Sequence, residues 1–271
     1  MSHYEAEIEK KLRSLRTEEQ PDEVSLGGDQ EYELSYLNSH RNRFRQIWDD
    51  IPNETDLSIL DIGPTPFTFV LNDLMSDGEV ATIDYTDLMK GRCDDAGIDH
   101  ATHDLHEGTI PFESGRFDII TFHGVLEHLF TPPRPLFEDI ARTLDTGGRL
   151  LLGTPNFARL ENRVKLAIGK NPQEQIEQEH VHGRGHVREY TLEECVELIE
   201  EAGLTTQRSE YRHYIPLLTR IRNGVEQTEL DGLPFPVDYL ASTVYYATTS
   251  IVSSLQYHNY VVATKQSATS A

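Results

Sequence analysis

Lysine is what this chain most lacks. It occurs at only six of 271 positions, against 46 Asp and Glu, and the formal net charge is −22. That balance excludes nucleic acid as a partner, because phosphate neutralisation by Lys and Arg dominates such binding. Acid excess with scarce lysine suits a cytoplasm of high salt, where screening suppresses self-repulsion. An ordinary acidic protein is the plainer alternative. Cysteine is nearly absent: Cys93 and Cys195 stand far apart, so neither a disulfide framework nor a cysteine-based metal site is expected. No apolar run approaches the length of a membrane span. Met1–Gln20 has no apolar core, so it does not read as a signal peptide. The expected location is cytoplasmic, and the length fits one domain of ordinary size with a full core.

What is present is organised around Ser58–Asp84. Ile59, Leu60 and Ile62 form a short apolar run, as in a strand buried on both faces of a parallel sheet. Gly63-Pro64-Thr65-Pro66 is a strong turn signal. Thr65 can cap a helix and Pro66 suits its first position. Phe69, Val70 and Leu74 give that helix an apolar stripe. Val80–Ile83 is a second buried strand, ending on Asp84. An acid at the tip of the second strand is where a nucleoside-binding α/β fold holds two ribose hydroxyls.

The remaining chain alternates. Residues 3–20 read as a peripheral amphipathic helix and 21–30 as a linker. A helix over 32–50 turns Leu34, Leu37, Phe44, Ile47 and Trp48 inward; its Arg41, Arg43 and Arg45 read as a solvated face. A short strand near Asp99–Asp104, a buried strand over Phe117–Phe122 and a helical start at "VLEHLF" follow. Then come a helix over Pro133–Leu144, a turn at Gly147-Gly148 and the strand "RLLLGT". Strands alternating with helices imply a parallel sheet with right-handed crossovers. Residues 156–190 break the alternation with a helix near Ala158–Ile168 and a polar loop. Thr191 and Glu194 form a capping box for a helix over Leu192–Ala202, closed by Gly203. "LTTQRSEY" and "YHNYVVAT" read as strands, 212–237 as turn-rich, and 238–254 as apolar and Tyr-rich.

Five segments, "ILDIG", "VATIDY", "HDLHEGTIPFESGRFDIITFHGVLEHL", "LDTGGRLLLGTPN" and "HVREYTLEECVELIEEAGL", resemble in order and spacing the class I S-adenosylmethionine-dependent methyltransferases, over roughly residues 56–208. The stretch from Thr154 to Thr191 is similar to a subgroup associated with sugar and cell-surface glycan biosynthesis. The resemblance implies a Rossmann-like α/β fold: a seven-stranded, mostly parallel sheet with helices on both faces, an antiparallel last strand and an insertion after the fifth. It divides the chain into N-terminal helices (1–50), a core (51–211) with the insertion at 156–190, an extension completing the sheet (212–265) and a tail (266–271). With S-adenosylmethionine as cofactor, it places Asp61, Gly63 and Thr65 by the methionine part. It also places Asp84 on the ribose, Asp104 and Leu105 on the adenine, and His123 and Gly124 beside the sulfonium. The family's Asp-x-Gly-x-Gly-x-Gly loop keeps only Gly63 here; Thr65 and Phe67 replace the later glycines, which let backbone approach a ligand closely.

Glu127, His128 and His186 are the candidate catalytic residues, with His128 or His186 as base for a hydroxyl acceptor. Methyltransferases that this chain resembles can bind a divalent ion through a Glu-x-x-Glu-His pattern; Gly124 stands at the first position here, so the pattern is incomplete, and a carboxylate, His128 and a downstream His182 or His186 are the potential metal donors. No metal is assigned; loop-holding hydrogen bonds are the expected role for at least one of Glu127 and His128. His180, His182, Arg184, His186 and Arg188 make a basic patch suited to an anionic group on the acceptor. The expected reaction is O-methylation of a saccharide, free or lipid-linked, at a hydroxyl or a uronic-acid carboxylate. Alternatives are a quinone or lipid O-methyltransferase and a non-catalytic binding module. A nicotinamide oxidoreductase is disfavoured by the missing Gly-x-Gly-x-x-Gly. Tyr239–Val252 reads as core or an oligomer face, and the oligomeric state is open.

Overall fold

The computed structural model describes residues 30–106, 109–173, 185–213, 248–249 and 251–267. The expectations for 3–20, for nearly all of 21–30, and for most of 212–237 and 238–254 lie outside the described residues. So do His180, His182, Arg184 and the last residues of the tail.

Among the described residues seven strands form one sheet: β1 (Ser58–Ile62), β2 (Glu79–Asp84), β3 (Asp99–Thr102), β4 (Phe117–His123), β5 (Leu144–Pro155), β6 (Thr205–Arg212) and β7 (His258–Thr264). Their order across the sheet is β3-β2-β1-β4-β5-β7-β6. β1 through β5 pair in parallel, and β7 runs antiparallel between β5 and β6. This is the expected mostly parallel sheet with an antiparallel last strand. The order reverses at β1, between β2 and β4, which is where open α/β sheets carry ligands, outside the strands' C-terminal ends.

The helices are α1 (Gln30–Trp48), α2 (Pro66–Leu74), α3 (Lys90–Ala96), α4 (Arg134–Thr143), α5 (Leu160–Ala167) and α6 (Leu192–Glu201). Two separate clusters of buried apolar side chains lie against the sheet. One gathers Leu37, Phe44 and Ile47 of α1 with Phe67, Val70 and Leu74 of α2. The other gathers Phe137 and Ile140 of α4 with Cys195 and Ile199 of α6. Adjacent strand residues Ile59 and Leu60 fall into different clusters, as alternation on a two-sided strand requires.

Three local expectations change. "VLEHLF" yields only a 3₁₀ turn, Leu126–His128, because the prolines at 132 and 133 sit too close for a full helix to develop. Gly147-Gly148 does not separate α4 from β5; β5 already begins at Leu144 and absorbs the two glycines as an irregularity opposite Phe117–Ile119. A side chain at Gly148 would press on the Asp145, Phe117 and Asp118 carbonyls. Arg43 is half-buried rather than solvated, with consequences for the site.

Candidate functional site

A cleft of about 270 Å³ opens at the C-terminal ends of β1, β2 and β4. Gly63, Asp84, Asp104, Leu105, Gly124 and His128 line it together with Ile83, Tyr85 and the His106–Phe130 pair. The structure therefore brings five of the expected site residues, and Gly124, to one cavity. Asp61, Thr65, His123, Glu127 and His186 stand behind or beside its wall.

The loop after β1 explains how a chain with one glycine keeps the cleft open. Gly63 adopts φ +80°, and its N–H donates to the Ile83 carbonyl at 3.0 Å. Thr65 caps α2: its hydroxyl accepts from the Phe67 N–H, and Thr68 Oγ1 accepts from the Thr65 N–H at 2.9 Å. Phe67 points into the core and stacks on Phe44, ring centroids 4.6 Å apart. The two residues that replace glycines thus fill a cap and a core site, not the cleft.

Asp61 lies beneath this loop and is buried. Thr68 and Thr121 hydroxyls donate to its two oxygens at 2.6 and 2.5 Å. Burial pushes its carboxyl up to about 6, against the pull of those hydroxyls and of Arg43. A carboxyl raised in the folded state above its ordinary 3.8 stabilises the fold below that value and loses that contribution as pH rises through about 6. Asp61→Asn removes the titration. Its stability relative to the parent is expected to rise between pH 4 and pH 7 by on the order of 2–3 kcal/mol, read by denaturant unfolding without ligand. Parallel pH curves for the two proteins would refute this.

Asp84 presents a half-organised carboxylate. Oδ1 accepts from the Thr86 N–H at 2.9 Å and the Thr86 hydroxyl at 3.2 Å, which leaves Oδ2 to receive a ligand hydroxyl. Asp104 is arranged alike: Oδ1 accepts from the His106 N–H at 2.9 Å and from His106 Nδ1 at 2.6 Å. Burial opposes ionisation of Asp104, but these bonds outweigh it and hold its carboxyl below the usual range. His106 stacks on Phe130, centroids 3.8 Å apart, and accepts the Phe130 N–H at Nε2. Phe130 and Tyr85 remain about 60% exposed at the cleft mouth, flat apolar faces suited to a planar ring.

Arg43 is the residue that the sequence reading missed. One Nη atom lies 4.0 Å from where a Cβ on Gly124 would sit. Nη2 donates to the Tyr36 hydroxyl at 2.8 Å, while Nε is buried without a partner among the described residues. After burial, Arg43 is the next cause holding the His123 imidazole far below its usual range. His123 itself packs its ring on Tyr260, centroids 5.7 Å apart, and both ring nitrogens are buried with no hydrogen-bond partner among the described residues. The signal was present in the spacing: Tyr36, His40, Arg43 and Ile47 form one helical stripe.

Beside the cleft, Glu127, His128 and His186 converge. The Glu127 carbonyl accepts from the Val187 and Arg188 N–H groups at 2.8 and 3.2 Å, which fastens the segment from 185 onward to the 3₁₀ turn. His128 Nδ1 donates to the Gly185 carbonyl at 2.8 Å, and His186 Nδ1 to Glu189 Oε1 at 3.0 Å. Glu189 is also held by Arg159 and Asn162; these partners and His186 outweigh its burial and bring its carboxyl down to about 2. Arg188 turns away from the cleft, bonded to Glu194 at 2.6 Å and laid over Tyr190. Of the basic patch, the described part therefore contributes only His186 here.

Residues 60–152, about a third of the chain, match the family model of a methyltransferase domain. No curated protein matches the sequence. Among solved structures, a chain of the complex between the Haloferax volcanii Trm112 methyltransferase activator and a methyltransferase is 13% identical, TM-score 0.58, over 88% of this chain and 95% of that one. Haemonchus contortus phosphoethanolamine N-methyltransferase 2, solved with S-adenosyl-L-methionine, is 19% identical, TM-score 0.54, over 83% of this chain and 53% of that one. The [4+2]-cyclase SpnF is 13% identical, TM-score 0.54, over 96% and 93%. At such identities the likeness is one of fold, and a cyclase among them shows that this fold alone does not choose the reaction.

Proposed function

We propose, on the premise that residues 60–152 form a methyltransferase domain and the chain is an S-adenosylmethionine-dependent methyltransferase, that it O-methylates a saccharide hydroxyl. The observation that carries the acceptor class is the pair of imidazoles at the cleft edge, each anchored through Nδ1. With Nδ1 protonated, the ring lone pair sits on Nε2, the arrangement a general base needs. A uronic-acid carboxylate requires no base, so the oriented imidazoles favour a hydroxyl. The surrounding Glu127, Glu189 and Arg159 are polar, which suits a sugar better than a quinone.

The residues present fit the cofactor. Gly63 and Gly124 keep Cβ atoms out of the cleft floor. Asp84 would hold the ribose hydroxyls, Asp104 and Leu105 would contact the adenine at a cleft mouth that Tyr85 and Phe130 line, and Arg43 would offer a cation to the amino-acid carboxylate. Asp61 and Thr65 act from behind, by fixing the loop and the start of α2. When bound, S-adenosylmethionine supplies an electrophilic methyl on a positively charged sulfur. The chain's own contribution is to align acceptor and methyl and to remove the acceptor proton at His128 or His186.

Incubating the purified full chain with methyl-labelled S-adenosylmethionine and glycan or lipid-linked sugar fractions tests this. Label in an alkali-stable methyl ether on sugar is expected. Label confined to quinone or lipid extracts, or no transfer at all, would overturn the saccharide reading.

A further inference from the structure

We infer that Glu127, His128 and His186 form a binding site for one divalent first-row transition ion, of the zinc or manganese class, at the acceptor side of the cleft. This rests on the proposed O-methylation only for the ion's use, not for its binding. One donor atom from each residue lies within 4.8 Å of the others. Ligands around zinc stand at about 2.0–2.2 Å, so in a tetrahedral site the donors are about 3.3–3.6 Å apart. A closure of up to about 1.5 Å by side-chain rotation completes the set.

Two further observations point to a cation. Glu127 is only 3% exposed, and among the described residues its side chain has one hydrogen-bond partner, the neutral Thr154 hydroxyl at 3.0 Å. Among the described residues no Lys or Arg forms an ion pair with it; a buried carboxylate so placed is unfavourable, and a bound cation relieves it. Both imidazoles, moreover, are tethered at Nδ1 by an acceptor: the Gly185 carbonyl for His128 and the Glu189 carboxylate for His186. That outer shell fixes the tautomer in which Nε2 is the ligating atom, and a carboxylate behind an imidazole raises its basicity toward a metal. Two imidazoles and one carboxylate are a borderline donor set that suits zinc, manganese or iron rather than calcium.

Three protein ligands leave an open position, and His128 also lines the cleft, so that position adjoins it. With the ion bound, the Nε2 lone pairs are committed to it, so the ion takes the place of the imidazole base and an acceptor hydroxyl seated there becomes more acidic. Its proton leaves to solvent, its oxygen bonds the methyl carbon, and the carbon–sulfur bond breaks with its electron pair returning to sulfur as the neutral thioether.

The test is metal binding by the chelator-treated full chain, measured by calorimetry and by elemental analysis after dialysis against Zn²⁺ or Mn²⁺. One ion per chain is expected. Glu127→Gln, His128→Ala and His186→Ala should each weaken it at least tenfold, while His186→Ala still binds S-adenosylhomocysteine as the parent does. Absence of stoichiometric binding, or binding that survives all three substitutions, overturns the site. Transfer that persists undiminished in chelator overturns the ion's catalytic use and leaves the imidazoles as bases. Stoichiometric binding lost in the variants, with no transfer to any sugar, supports the site and fails the saccharide reading instead.

Discussion

Gly63→Ala is expected to lose S-adenosylhomocysteine binding by more than tenfold and to lower stability by about 2–4 kcal/mol. Two effects add. At φ +80° an L-residue is strained, by roughly 1–2 kcal/mol. The new Cβ would also lie 2.6 Å from Val125 Cγ2, a contact that forces one of them to move. Val125 lines the cleft, so whichever way the clash relaxes, the cavity floor changes shape. The clash can be separated from the backbone strain. Val125→Ala in the same chain should recover part of the loss, leaving the share due to φ. Thermal unfolding and calorimetry on the single and double variants read both parts. Equal losses with and without Val125→Ala would show that the contact carries no weight.

Asp84→Ala is expected to weaken S-adenosylhomocysteine binding by about 2–3 kcal/mol, a factor of about 30–150, with a much smaller change in unfolding temperature. A carboxylate that accepts from hydroxyls makes charge-assisted bonds, stronger than neutral ones. Thr86 fixes the carboxylate by two bonds to Oδ1, so the geometry exists before the ligand arrives and little ordering entropy opposes binding. Among the described residues the same two bonds are the only ones of the side chain lost in the variant, and they lie at a half-exposed strand end. Asp84→Asn keeps an acceptor and a similar shape, so it should fall between the parent and Asp84→Ala. Unchanged affinity in Asp84→Ala would remove the ribose role from this residue.

How much was legible in the sequence follows from the range of the interactions involved. Ser58–Asp84 could be read almost residue by residue, because its signals are local: an apolar strand, a Pro-Thr-Pro turn with its cap, an amphipathic helix and an acid at a strand tip. The cap at Thr65 and the capping box at Thr191 formed as expected, and at Thr65 the structure adds Thr68 to complete a box. The glycine-poor loop looked like a liability because sequence alone cannot say where Phe67 points. That is decided by Phe44, which arrives from a helix 23 positions earlier to stack on it. Arg43 was misread for a related reason. It lies on the stripe of Tyr36, His40 and Ile47 at the border of the apolar face of α1, and a charged residue at such a border reads as solvated until β4 and Gly124 are placed beside it. The Glu127–His128–His186 cluster depends on backbone bonds from the 3₁₀ turn to residues 187 and 188, about 60 positions apart in the chain. No periodicity carries such a contact. The antiparallel β7 was anticipated only through the family resemblance, since a strand's partners are not written in its own alternation.

The most direct measurement is calorimetric titration of the purified full chain with S-adenosylhomocysteine. One site per chain is expected, with the affinity reduced by Gly63→Ala and by Asp84→Ala. A folded protein that gives no binding heat, and no shift in unfolding temperature with excess ligand, would contradict it and leave the cleft as a methyltransferase-like cavity with another occupant.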